Sequence, residues 1–149
     1  TFEKTTYADL PHKFEAGTPN ICGGIAYGAA IDYMYAVGFD NIAKHEHELL
    51  VYGTQKLNEI EGVTIYGPSD LTKKASVISF NIENIHPYDI GTIIDKLGIA
   101  VRTGHHCAQP IMDFFKIPGT LRASFAFYNT KEEIDIFVAA VKKAKMMLS

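Results

Sequence analysis

Cysteine is scarce in this 149-residue sequence, with Cys22 and Cys107 the only two. They could form one disulfide at most. With no secretory leader pattern ahead of them, two free thiols in a reducing cytoplasm are expected. Clustered basic charge is missing too: Lys and Arg are scattered along a chain of formal net charge −3, which weighs against a nucleic-acid partner. No apolar run approaches the length of a membrane span, so no membrane partner is expected. Internal repeats and low-complexity segments are absent. An initiating methionine is absent as well, since the chain begins at Thr1, and the expectation is a piece of a longer protein. What is present is ordinary for a globular domain: 47% hydrophobic and 21% charged residues, enough for one domain with a core.

Residues 1–20 are rich in Thr, Gly and Pro and read as an extended or looped lead-in. The run ICGGIAYGAAIDYMYAVG (residues 21–38) reads as a buried helix, its small residues allowing close packing. Asp40 or Asn41 can cap the next helix, which carries Ile42, Leu49, Leu50, Leu57 and Ile60 and stops before Gly62. VTIY (63–66) and SVISFNI (76–82) are β-branched strand signals around a Gly-Pro-Ser-Asp turn. Tyr88, Ile90, Ile93, Ile94 and Leu97 sit at helical spacing before Gly98. IAVR (99–102) and LRASFAF (121–127) read as strands, with Arg122 and Ser124 on the face opposite Leu121, Ala123, Phe125 and Phe127. Thr130 and Glu133 form a capping box for a last helix whose stripe is Ile134, Phe137, Val138, Val141 and Leu148. The pattern predicts an α+β fold with a mixed or antiparallel sheet packed with helices.

The densest chemistry lies in AVRTGHHCAQP, residues 100–110. Zinc takes roughly four ligands, usually as spaced pairs. His105, His106 and Cys107 are consecutive, so their side chains diverge, and His45 and His47 do not share a helix face. No metal site is expected. Cys22, among apolar and small residues, reads as a small buried hydrophobe. Cys107 has polar neighbours in a loop after a strand. Nearby Arg or His⁺ favours thiolate character in general, and the residues alone leave Cys107 between core cysteine and nucleophile. Arg122 interrupts an apolar strand, so it either awaits an anionic partner or sits on an edge strand in water. Gly17 and Thr18 precede a helix and offer donors for a phosphate.

Taken in order, PHKFEAGTPN, AVRTGHHCAQPIM and LRASFAFYNTKEEID resemble the C-terminal part of SUF-type cysteine desulfurases. These are class V aminotransferase-family enzymes of fold type I that use pyridoxal phosphate, and they include selenocysteine lyases. The resemblance covers essentially the whole chain, with RTGHHCAQP its most specific part. It implies the small C-terminal domain of such an enzyme, with an interdomain helix. Residues 1–20 would contribute to the cofactor site of a neighbouring subunit in a homodimer, and residues 21–149 would form the small domain.

Carried over residue by residue, the resemblance makes Cys107 the sulfur acceptor. Arg122 would clamp the substrate carboxylate with Arg102 close by, and Gly17 and Thr18 would reach the cofactor phosphate. His105 or His106 would move a proton or tune the thiolate. The implied substrate is L-cysteine or L-selenocysteine, and the implied partner is a sulfur-acceptor protein of the SUF system. The family's cofactor lysine, in a Ser-Gly-His-Lys type motif, has no counterpart here; His12-Lys13 stands in a different context. This chain alone is therefore expected to hold no pyridoxal phosphate covalently and to be inactive. A selenocysteine lyase and a non-catalytic interaction module keeping the fold are the alternatives.

Overall fold

The computed structural model of the chain describes residues 2–149. They fall into two compact units, one ending at Phe39 and one spanning Asp40–Ser149.

The first unit holds a lead-in of turns and bends followed by helix α1 (Ile21–Val37). Asn20 caps α1 by accepting the Gly23 N–H at 2.9 Å, which satisfies one of the donors a helix start leaves free. Gly38 ends the helix at a φ of 91°, and its N–H donates to the Met34 carbonyl. The helix forms where its sequence predicts, but no residue of it is buried. Cys22 is exposed, not buried. Small and apolar residues run all round this helix, so a core-facing stripe is not defined. The structure also groups α1 with the lead-in segment, whereas the sequence placed a division at residue 20.

The second unit is built on a four-stranded antiparallel sheet in the order β1-β2-β4-β3. The strands are β1 (Val63–Tyr66), β2 (Val77–Ile82), β3 (Arg102–Gly104) and β4 (Thr120–Ser124). Helices α2 (Phe39–Asn58), α3 (Pro87–Lys96) and α5 (Lys131–Leu148) supply its apolar cover. Alternation along β2 sends Ile78, Phe80 and Ile82 to one face, where they join Leu121 and Ala123 of β4. Leu49, Leu50 and Leu57 of α2, Ile90 and Ile94 of α3, and Ile134, Phe137, Val138 and Val141 of α5 complete this core. Gly53 marks the close approach of α2, because a Cβ there would lie 3.0 Å from the Phe125 ring and 3.3 Å from Ile78 Cδ1.

The capping box of α5 is present, with Thr130 N–H donating to Glu133 Oε2 at 3.0 Å and Glu133 N–H to Thr130 Oγ1 at 3.3 Å. Leu148 departs from the predicted stripe and is exposed, as are Tyr88 on α3 and Leu97 just past its end. Phe39 opens α2, so Asp40 lies within its first turn and is not its cap. The strand expected at 99–102 instead begins at Arg102, and β4 stops at Ser124, before Phe125 and Phe127. A short helix, α4 (Gln109–Phe115), was not foreseen. It has no side-chain cap and only seven residues, too few for a periodic signal. No helix of the described residues is long and apolar enough to cross a membrane.

Candidate active site

The second face of the sheet is polar. Directly opposed residues of antiparallel strands share a face. The registers Tyr66↔Ser79, Ser79↔Arg122 and Arg102↔Arg122 therefore line up one row across all four strands. Two guanidinium groups stand opposite each other at one end of it. Like charges so placed destabilise a sheet, by roughly 0.2–1 kcal/mol, and among the described residues no carboxylate pairs with either. Arg122 lies on an interior strand, not an edge. It is half-buried, and its Nε is shut off from solvent with no hydrogen-bond partner. A buried N–H without an acceptor costs about 1–3 kcal/mol. Two guanidinium groups so placed can together take an anion. Helix α4 covers the far part of the same face, its Phe115 ring edge-on to Tyr66 at 5.2 Å and its Met112 buried.

Beyond Gly104, β3 runs into a tight reversal. The Ala108 N–H donates to the His105 carbonyl at 2.9 Å, and the two residues between, His106 and Cys107, have φ of 56° and 58°. Positive φ at both central positions is the signature of a type I′ turn, which normally takes Asn or Gly. Each side chain held there costs about 1 kcal/mol or more. Cys107 sits on this turn with its free thiol exposed. His105 is exposed as well, whereas His106 is half-buried.

The His106 ring turns back onto β4. Its Nε2 lies 3.1 Å from the Thr120 carbonyl oxygen and 2.9 Å from Thr120 Oγ1. A carbonyl only accepts, so Nε2 carries the hydrogen and Nδ1 holds a lone pair; Nδ1 is buried without a partner. Burial lowers the His106 pKa, the bond to the Thr120 backbone opposes this, and the charges of Arg122, Arg102 and His105 lower it further. The ring is neutral at pH 7 and within electrical reach of both arginines.

Of the residues singled out in the sequence, Arg102, His105, His106, Cys107 and Arg122 come together at the β3–β4 end of the sheet. Gly17 and Thr18 belong to the other unit, where both are exposed and a Cβ on Gly17 would meet nothing within 4 Å. No group of three or more His, Cys, Asp or Glu able to hold a metal occurs among the described residues. Sequence reasoning missed Thr120 and Gly119. The only trace of them is a Pro-Gly-Thr run ahead of a strand, which reads as a simple turn.

Comparison with known proteins fits this geometry. The family described as Aminotransferase class-V matches residues 1–137. The chain is similar to a probable cysteine desulfurase of Halalkalibacterium halodurans, 52% identical over 141 residues, which is 95% of this chain and 34% of that protein. It is 46% identical over 144 residues to a cysteine desulfurase of Yersinia pestis, covering 97% of this chain and 35% of that one. Among solved structures, the apo cysteine desulfurase of Thermococcus onnurineus superposes with a TM-score of 0.84 at 43% identity, over 96% of this chain and 36% of its own. An Escherichia coli cysteine desulfurase in an S-sulfonic acid form gives 0.83 at 33% identity, over 99% and 36%. The chain spans about a third of the length of these relatives.

Proposed function

The chain belongs to the aminotransferase class-V family, and from that premise we propose that it is the C-terminal part of a pyridoxal-phosphate-dependent cysteine desulfurase acting on L-cysteine. The observation that carries this reading is the pairing of an exposed cysteine on a strained turn with two opposed, acid-free arginines on the adjoining strands. Arg122 and Arg102 bind the substrate carboxylate, for which a guanidinium fork is suited. Cys107 Sγ bonds to the substrate sulfur as the substrate's Cβ–S bond breaks. The electron pair of that bond leaves with the carbon fragment, which takes up a proton and departs as alanine. One thiol and one cysteine become one persulfide and one alanine, with no outside oxidant.

Pyridoxal phosphate, when bound, supplies the electron sink for the amino acid. This chain fits only the phosphate edge of that group, through the exposed amides and hydroxyl of Gly17 and Thr18 on the neighbouring subunit of a homodimer. The persulfide passes to a sulfur-acceptor protein of the SUF system, a reading supported by the RTGHHCAQP segment.

The test uses the intact protein that carries this chain, supplied with pyridoxal phosphate. Cys107→Ala is expected to abolish alanine and persulfide formation, and Cys22→Ala to leave both nearly intact. No cofactor absorbance in the wild type, or equal loss in the two variants, overturns the reading.

A further inference from the structure

The two adjacent histidines do different work. We propose that His106 is a positioning residue: its ring, bonded to Thr120, holds the His105–Ala108 turn in the left-handed conformation that presents the Cys107 thiol. The inference rests on the reading of Cys107 as the sulfur acceptor, and it assigns His106 a mechanical role, not one in moving protons.

The geometry supports each step. Two consecutive non-glycine residues at positive φ do not hold that shape by themselves, so the surroundings must impose it. Backbone contact supplies part of the constraint. Gly119 sits at a φ of 147°, and a Cβ there would strike the carbonyl group of Gly104 at 3.0 Å, so the root of the turn lies directly against β4. Pairing of Gly104 with Thr120 fixes the register at the same point. Within the turn itself, the side-chain bond from His106 to Thr120 is the tie to the sheet. Thr120 is itself almost fully buried at 1% exposure, so the anchor point is rigid.

Proton transfer by the same ring is disfavoured on equally local grounds. Nε2–H is committed to Thr120, and Nδ1 is closed off from solvent. One nitrogen is thus engaged by the sheet and the other is withdrawn from water. The imidazole serves as a flat, neutral strut whose donor reaches the next strand. His105, the first residue of the same turn, is exposed, and among the described residues no side-chain hydrogen bond ties it to the sheet.

The test compares His106→Ala, His106→Gln and Thr120→Val in the intact, cofactor-loaded protein. Steady-state kinetics are read beside hydrogen exchange at the Ala108 amide, which closes the turn. A displaced nucleophile is expected to lower kcat about a hundredfold while KM for cysteine stays within about twofold. His106→Ala should show that split together with faster Ala108 exchange. His106→Gln, which can place an amide donor at similar reach, should restore both to within about threefold. Thr120→Val keeps the carbonyl and loses the hydroxyl, and should fall between the two.

The proposal is overturned if His106→Ala leaves kcat and Ala108 exchange at wild-type values. It is also overturned if His106→Gln folds but restores neither, or if KM rises with kcat unchanged. Should His106→Ala not fold, an unchanged Thr120→Val would count against the anchor and a loosened turn for it. A wild type that makes no alanine refutes the desulfurase reading instead, and Ala108 exchange still reports on the anchor.

Discussion

Helices α1 and α5 are of similar length and opposite fate. Seventeen residues of α1 are richer in apolar side chains than the eighteen of α5, yet none is buried, whereas α5 buries six. The difference is arrangement. In α5 the apolar residues return every three or four positions and face the sheet, while Lys and Glu take the other side. In α1, Ile21, Ile25, Tyr27, Tyr33 and Tyr35 are spread around the circumference, and each is more than half exposed. Hydrophobic content marks a helix as wanting a partner. Only a periodic stripe says which partner within the same chain will do.

Core truncation is the strongest way to probe that contrast. Phe80→Ala, at the centre of the sheet-side core and edge-on to Phe137 at 6.0 Å, should destabilise the second unit by about 3–5 kcal/mol. Ile25→Ser on α1 should change urea-unfolding stability by no more than about 0.5 kcal/mol, while reducing any concentration-dependent association seen by sedimentation. A comparable loss for both would mean that α1 packs in solution.

A smaller effect of opposite sign belongs to the site. Cys107→Gly removes a side chain from a left-handed position and should raise the stability by about 1 kcal/mol, measured as a higher urea midpoint, while destroying persulfide formation. Cys107→Ala should give no such gain. Stability sacrificed for a thiol is what separates this turn from the core beside it.

The smallest effect is the pH dependence of His106. Its folded pKa is lowered from 6.5, first by burial and then by Arg122, Arg102 and His105 against the Thr120 bond. Its contribution to stability is fully present above about 6.5 and is lost as pH falls through the folded value, because the unfolded ring takes up its proton first. Urea midpoints between pH 7 and pH 5 should therefore drop less in His106→Gln than in wild type.

Much of the fold was legible without coordinates. Strand alternation in VISFNI, the Thr130–Glu133 box, and the apolar positions of α2 are local patterns with local causes, and the structure reproduces them. The candidate site was legible as a set of residue types in order. The sheet's ends, α4 and the exposure of Cys22 were not, since short irregular segments and unpartnered helices carry no period to read.

The sequence by itself determined most of the core positions of α2, β2 and α5 and the residue types gathered at the candidate site. Those depend on spacing along the chain and on what each side chain can do. Tertiary structure alone decided that Arg102 stands opposite Arg122, that His106 reaches Thr120, and that Cys107 occupies a left-handed turn. Each depends on the register between β3 and β4, strands separated by the turn and by α4. Register is settled by which faces can be buried together across the whole sheet, and no short stretch of sequence contains that information.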